Sequence, residues 1–267
     1  MSIKYWIDLG CEPRSEAGED TLASLVFFRA LRDDARRQFR LRGIGDETRM
    51  RIRERLGHGE DADDRVITVA ELSARVAPLE ALSFHCAGCP ASIDGLEFGC
   101  ISNVAFPISA KAEEWLAGLA PAGSHRRMLL EEAIAEYGYG EGTRFAEWRA
   151  LGLLERGLAA HPEGGGPAHS DAIMHMLFLF GEVTPQHALG VLMRLGGLRT
   201  TDGMAGDDVV RAIERAVSGD EPPDQMPQLE FALLPEAGDD ASILEIRRFL
   251  YALFIALSLE ARVAVRV

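Results

Sequence analysis

Lysine is nearly absent from this sequence. Lys4 and Lys111 are the only two, and 28 basic residues face 42 acidic ones for a formal net charge of −14. A chain this acidic gains no general electrostatic attraction to nucleic acid or to an anionic membrane surface. Long apolar runs are also missing. The two most apolar stretches, MHMLFLFG and FLYALFIALSL, fall short of the roughly 20 residues that span a bilayer, so they read as buried helices. The opening MSIKYWIDLG lacks the apolar core and small-residue cleavage site of a signal peptide. The expected compartment is the reducing cytoplasm, where cysteines persist as thiols or metal ligands.

Several catalytic motifs are missing as well. The glycines at 164–166 have no Gly-Lys-Ser/Thr ending and no preceding strand, so they are not a phosphate loop. YGYGEG at 137–142 is a helix-breaking turn. No serine occupies a G-x-S-x-G elbow, which removes support for that kind of hydrolase. Between positions 29 and 55, ten arginines stand against five acidic residues, with Phe39 the one aromatic among them. That is too little aromatic surface for base stacking. The run reads as a solvated helix face paired with its own Asp33, Asp34 and Glu54. No nucleic-acid or membrane partner is expected.

What the chain does contain is enough apolar material for a core: 47% hydrophobic residues against 26% charged. Ile3, Tyr5, Ile7 and Leu9 alternate with Lys4, Trp6 and Asp8 at strand spacing. Apolar residues at 22, 25, 26, 28 and 31 follow a helical period. A helix is predicted over 46–56, an acidic loop over 57–64, a short strand at RVITV and a helix from AELSARV. Ser109 is a plausible cap for a helix running to Leu119. Further helices are predicted at 124–137 and 143–160, with HPEGGGPAHS as a linker. Residues 170–196 read as an αα-hairpin. Ser170 would cap its first helix, Gly181 would close it, and Thr184 with Pro185 would start the second. The remainder reads as strand, helix over 240–259, then strand ARVAVRV.

The fold class expected is α+β: helix-rich, with a small mixed sheet formed partly by the N- and C-terminal strands, and a cysteine-containing knuckle loop. One globular domain over 1–267 is expected. The alternative division is a metal-knuckle part, 1–160, and a part from 170 to 267.

Three of the four cysteines lie in FHCAGCPASIDGLEFGC, residues 84–100. Cys86 and Cys89 form a C-x2-C pair, which turns two sulfurs toward one point and supplies half of a tetrahedral zinc site. Cys100 is the natural third ligand. Cys11 is the favoured fourth, with His85 as its alternative. Four thiolates would close the site and make the zinc structural. An iron–sulfur cluster suits the same donors. A redox-active pair is disfavoured because no helix follows Pro90. Unpartnered thiols are the plain alternative.

Four of seven histidines, His161, His169, His175 and His187, fall between 161 and 187. Asp171 and His175 share a helix face, and Glu182 precedes His187. Such pairs suit a general base or a metal ligand. Core packing is the plainer reading for His175, which sits among Met174, Met176, Leu177 and Phe178. The function expected is a cytoplasmic accessory or regulatory protein, stabilised by zinc, that acts through a protein partner. The apolar stretch 172–195 is one candidate surface for that partner. The alternative is a metal-dependent or iron–sulfur enzyme using the cysteines with His85, Asp171, His175 or His187.

Overall fold

A computed structural model describes residues 2–54, 63–105, 107–137, 167–178, 181–218 and 228–266. The chain divides into two compact units. One is contiguous, Gly10–Ile101; the other joins Met1–Leu9 to Ser102–Val267.

The contiguous unit begins with α1 (Glu12–Ala17) and α2 (Glu19–Arg42). The predicted helix over 46–56 is not present. Its centre is instead β2 (Met50–Glu54), paired antiparallel with β3 (Asp63–Ile67), with Met50 opposite Ile67. The cause is period: Met50 and Ile52 alternate with Arg51 and Arg53, and two-residue alternation suits a strand. Met50 then packs with Phe28 and Leu31 against buried Ile67 and Leu72. Thr68 opens α3 (Val69–Leu82) with a capping box. Its hydroxyl accepts from the Glu71 N–H at 3.1 Å, and the Glu71 carboxylate accepts from the Thr68 N–H at 2.7 Å.

The arginines of α2 are largely used within this unit. Arg32 pairs with Glu80 on α3 and with Asp33, and Arg36 donates to the Ser73 hydroxyl at 3.0 Å. Arg37 pairs with Asp34 at 2.6 Å. The basic run is thus mainly a helix face neutralised by its neighbours. Most of the predicted acidic loop, including Glu60 and Asp61, lies outside the described residues.

The second unit is built on a four-stranded sheet. Its order is β4 (Ile101–Ala105), β1 (Ser2–Asp8), β8 (Arg262–Arg266), β5 (Glu182–Val183). The terminal strands do pair: β1 runs antiparallel to β8, with Tyr5 opposite Val265 and Ile7 opposite Val263. The β5–β8 pair is antiparallel too. Ile3, Tyr5, Ile7, Val263 and Val265 are buried. Against them lies α9 (Ala241–Ser258), capped by Asp240, whose Phe249 meets the Tyr5 ring edge-on at 4.9 Å. The chain is α+β and helix-rich.

Around this core stand α4 (Ala110–Gly118), α5 (His125–Tyr137), α6 (Pro167–Phe178), α7 (Pro185–Arg194) and α8 (Asp207–Ser218). Strands β6 (Leu198–Thr200) and β7 (Leu229–Phe231) form a separate pair. Ser109 caps α4 as predicted, accepting from the Ala112 N–H at 3.0 Å. Thr184 caps α7 in the same way. Ser170 does not cap α6. The helix starts at Pro167, and Ser170 is buried inside it. The hairpin reading needs a further correction: β5 lies between α6 and α7, and the two helices pack chiefly on α4 and α9 respectively. Residues 143–160 fall outside the described residues.

Candidate functional site

All four cysteines belong to the contiguous unit, and the backbone accounts for how each is presented. Cys86 and Cys89 bracket a tight turn, closed by the Cys89 N–H donating to the Cys86 carbonyl at 3.2 Å. Ala87 (φ −64°, ψ 118°) and Gly88 (φ +72°) give it type II geometry, which demands a left-handed third residue. Glycine meets that demand without strain.

A second turn leads to Cys100. The Gly99 N–H closes it by donating to the Leu96 carbonyl at 2.8 Å. Here the left-handed position is held by Phe98, at φ +56°. A bulky residue rarely adopts that conformation and needs surrounding structure to hold it there. The surrounding structure is visible: Phe98 is buried, and the Arg29 guanidinium sits 5.1 Å from its ring centre. The Phe98 N–H takes no part in closing its own turn. It donates to the Cys86 sulfur at 3.4 Å, so one turn hydrogen-bonds a thiol presented by the other.

Cys11 stands at the head of α1, where its carbonyl accepts from the N–H groups of Arg14 and Ser15. Cys100 is buried; Cys11, Cys86 and Cys89 are half-buried. The thiols are near enough to act on one another. Burial, joined by the charges of Cys11, Cys89 and Cys86, pushes the Cys100 thiol up to about 12. Burial also raises Cys86, helped by Cys89, Cys11 and Glu97 and opposed by the Phe98 N–H. A charge on one of these thiols therefore disfavours a charge on the next.

The spacing is looser than a closed metal site requires. Four thiolates on zinc sit about 3.8 Å apart, from bonds near 2.3 Å in a tetrahedron. No three of these sulfurs come within 4.8 Å of one another. Among the described residues, the set that does reach that spacing is Glu12, Glu16 and His85. His85, the alternative fourth ligand, has its Nδ1 at 3.2 Å from a Glu12 carboxylate oxygen. Its ring lies against Phe84, with centres 3.7 Å apart. Sequence reasoning singled out His85 but not Glu12 or Glu16, whose i, i+4 spacing on α1 was the available signal.

The histidines at 161–187 do not form a described cluster. His161 lies outside the described residues; His169, Asp171 and His175 lie on α6. His187 is in the first turn of α7, where its backbone N–H donates to the Thr184 hydroxyl at 3.3 Å. The apolar stretch 172–195 goes largely into the interior: Ile173, Met174, Leu177, Val191, Leu192 and Leu195 are buried. Those six side chains belong to the core. A carboxylate–histidine pair that the sequence did not suggest joins α5 to α8: His125 Nε2 lies 3.1 Å from Glu214. Asp207 accepts from the backbone N–H of His125 at 2.7 Å, so this region ties two helices together.

Among the described residues no helix is long and apolar enough to cross a membrane. No protein-family model matches this chain, and neither does any curated protein or solved structure.

Proposed function

We propose that this is a zinc-binding accessory or regulatory protein of the cytoplasm that works by docking on another protein. Cys86, Cys89, Cys100 and Cys11 are the ligands in this reading, and the metal is structural. One observation carries it: the Phe98 N–H donates to the Cys86 sulfur, so the two turns presenting Cys86, Cys89 and Cys100 are already joined at a sulfur. Hydrogen bonds to a sulfur favour its ionised, metal-binding form. Closing the four sulfurs to bonding distance asks for side-chain movements of about 1 Å or more. Docking is supported by two large apolar side chains on this segment, Phe84 and Leu96, which are 69% and 51% exposed. Exposed apolar side chains beside two hydrogen-bonded turns suit a protein contact.

The second reading is a metal-dependent or iron–sulfur enzyme. It is favoured by the oxygen and nitrogen donors of Glu12 and His85, immediate chain neighbours of Cys11 and Cys86.

The test is elemental analysis of protein purified without chelator or affinity metal, with thiols titrated before and after denaturation. One zinc per chain with masked thiols is the expected result. Iron with acid-labile sulfide moves the assignment to the second reading. A folded Cys86→Ser, Cys89→Ser double variant that still purifies with its zinc overturns the ligand assignment.

A further inference from the structure

We infer that Glu12, Glu16 and His85 form a second cation site, separate from the cysteines, for a divalent transition metal of borderline hardness such as zinc, cobalt or ferrous iron. This does not rest on the thiolate reading, and it removes His85 from the cysteine site.

Geometry is the first argument. The three donor atoms lie within 4.8 Å of one another. A tetrahedral cation with bonds near 2.0–2.1 Å holds its donors about 3.3 Å apart. The separation of His85 Nδ1 from Glu12 Oε2, 3.2 Å, already matches. Glu16, already within 4.8 Å of both, has to close by at most about 1.5 Å to reach that spacing, within the reach of a flexible side chain on an exposed helix face.

Charge is the second argument. Two carboxylates on one face of α1 repel each other unless something compensates them. Among the described residues neither has an arginine or lysine partner. Arg14, which lies between them in sequence, is committed to Glu19. The carboxylate of Glu12 therefore faces an imidazole, not a guanidinium.

Donor type is the third. One imidazole with two carboxylates suits zinc and its neighbours in the first transition row, whereas thiolates select softer ions. Three protein ligands on a partly exposed surface leave coordination positions open to water or to a donor from a bound molecule. That distinguishes this site from a closed four-thiolate knuckle.

Cobalt(II) alone is the probe, added to the full chain as purified, with its resident metal in place. Cobalt bound by thiolates shows intense sulfur-to-metal charge-transfer absorption; cobalt held by nitrogen and oxygen shows only weak ligand-field bands. The expected result is one saturable equivalent of the second spectroscopic class. Glu16→Gln and His85→Gln should each weaken it at least about tenfold, with the metal content and masked thiols of the cysteine site unchanged. Glu16 is exposed, so its variant keeps the fold, as circular dichroism should verify. Absence of saturable cobalt of that class overturns the proposal, as does undiminished uptake by Glu16→Gln. Loss of a thiolate-bound metal in His85→Gln also overturns it, because it returns His85 to the cysteines. A chain purified without metal defeats the thiolate reading but leaves this titration equally decisive, since the two classes of cobalt are told apart by their spectra.

Discussion

Arg29 donates to the backbone carbonyl of Glu97 at 2.6 Å, across 68 positions of sequence. Its other nitrogen lies 3.2 Å from the Glu97 carboxylate, and its guanidinium rests over the Phe98 ring. One side chain of α2 therefore holds the turn that leads into Cys100. Arg29→Ala should destabilise the contiguous unit by about 1–2 kcal/mol, the worth of a charge-assisted hydrogen bond with a partly exposed cation–π contact. It should also speed labelling of the buried Cys100 by a thiol reagent. Lysine should not restore either property, because a point charge cannot serve carbonyl, carboxylate and ring together. Labelling rates read by mass spectrometry decide this; unchanged rates in Arg29→Ala would show that the turn holds itself.

Gly99 is required for want of space. A Cβ there would stand 2.5 Å from the Ile93 carbonyl oxygen and 2.9 Å from both the Ile93 nitrogen and the Leu96 oxygen. All three are backbone atoms and cannot swing aside. Gly99→Ala should cost about 1–3 kcal/mol, the usual range for overpacking. If the cysteine site holds zinc, metal content should fall with it. Thermal unfolding and elemental analysis of one preparation test both. An unchanged midpoint would mean that the loop shifts freely.

Acid should weaken the second unit through Asp207. Burial works to raise this carboxyl, but the N–H groups of His125 and Arg126 and the Arg126 guanidinium outweigh it, so it stays below the usual range. A group depressed in the folded state adds stability above its unfolded pKa of about 3.9, and loses it as pH falls through the folded value. The melting-temperature gap between the native chain and Asp207→Asn should be widest near neutral pH and close in strong acid. A gap independent of pH would remove the carboxylate's charge from the explanation.

Glu245 should behave in the opposite sense. Burial raises its pKa, against the Ala105 N–H that it accepts at 2.7 Å. A carboxyl raised in the folded state supports folding below its unfolded pKa, and that support is lost as pH rises through the folded value. Glu245→Gln keeps an acceptor for Ala105 and has no charge to bury. It should therefore gain stability relative to the native chain as pH rises from about 4, then level off. A loss at neutral pH would show that the carboxylate has a partner worth more than its burial costs.

The parts of this fold that could be read from sequence were local. Ser109 and Thr184 cap their helices because a cap is decided within three residues. The β1–β8 pair was anticipated from two alternating terminal runs. β2 is hard to tell from helix in sequence because Met50 and Ile52 alternate over too few residues to outweigh helix-friendly arginines, and its partner β3 stands across a long connection. Ser170 looked like a cap but is interior, since Pro167 is already a favoured first residue. The same boundary runs through the candidate sites. Cys86, Cys89 and Cys100 announce themselves by spacing. Arg29 and Glu12 do not, because their relations to Glu97 and His85 cross most of the unit, and no short-range pattern encodes a contact at that separation.

Strand β8, residues 262–266, lies between β1 and β5 and bonds to both. Arg262 spans the three, pairing with Asp8 at 3.2 Å and Glu182 at 2.8 Å. During synthesis β1 meets β4 first and must wait for its other neighbour, β8, made more than 250 residues later. The Gly10–Ile101 unit is contiguous, so all of its residues have been made well before β8. The vectorial order of translation thus separates the two units in time: the cysteine-bearing one is complete in sequence while the β1 edge that β8 will cover is still open.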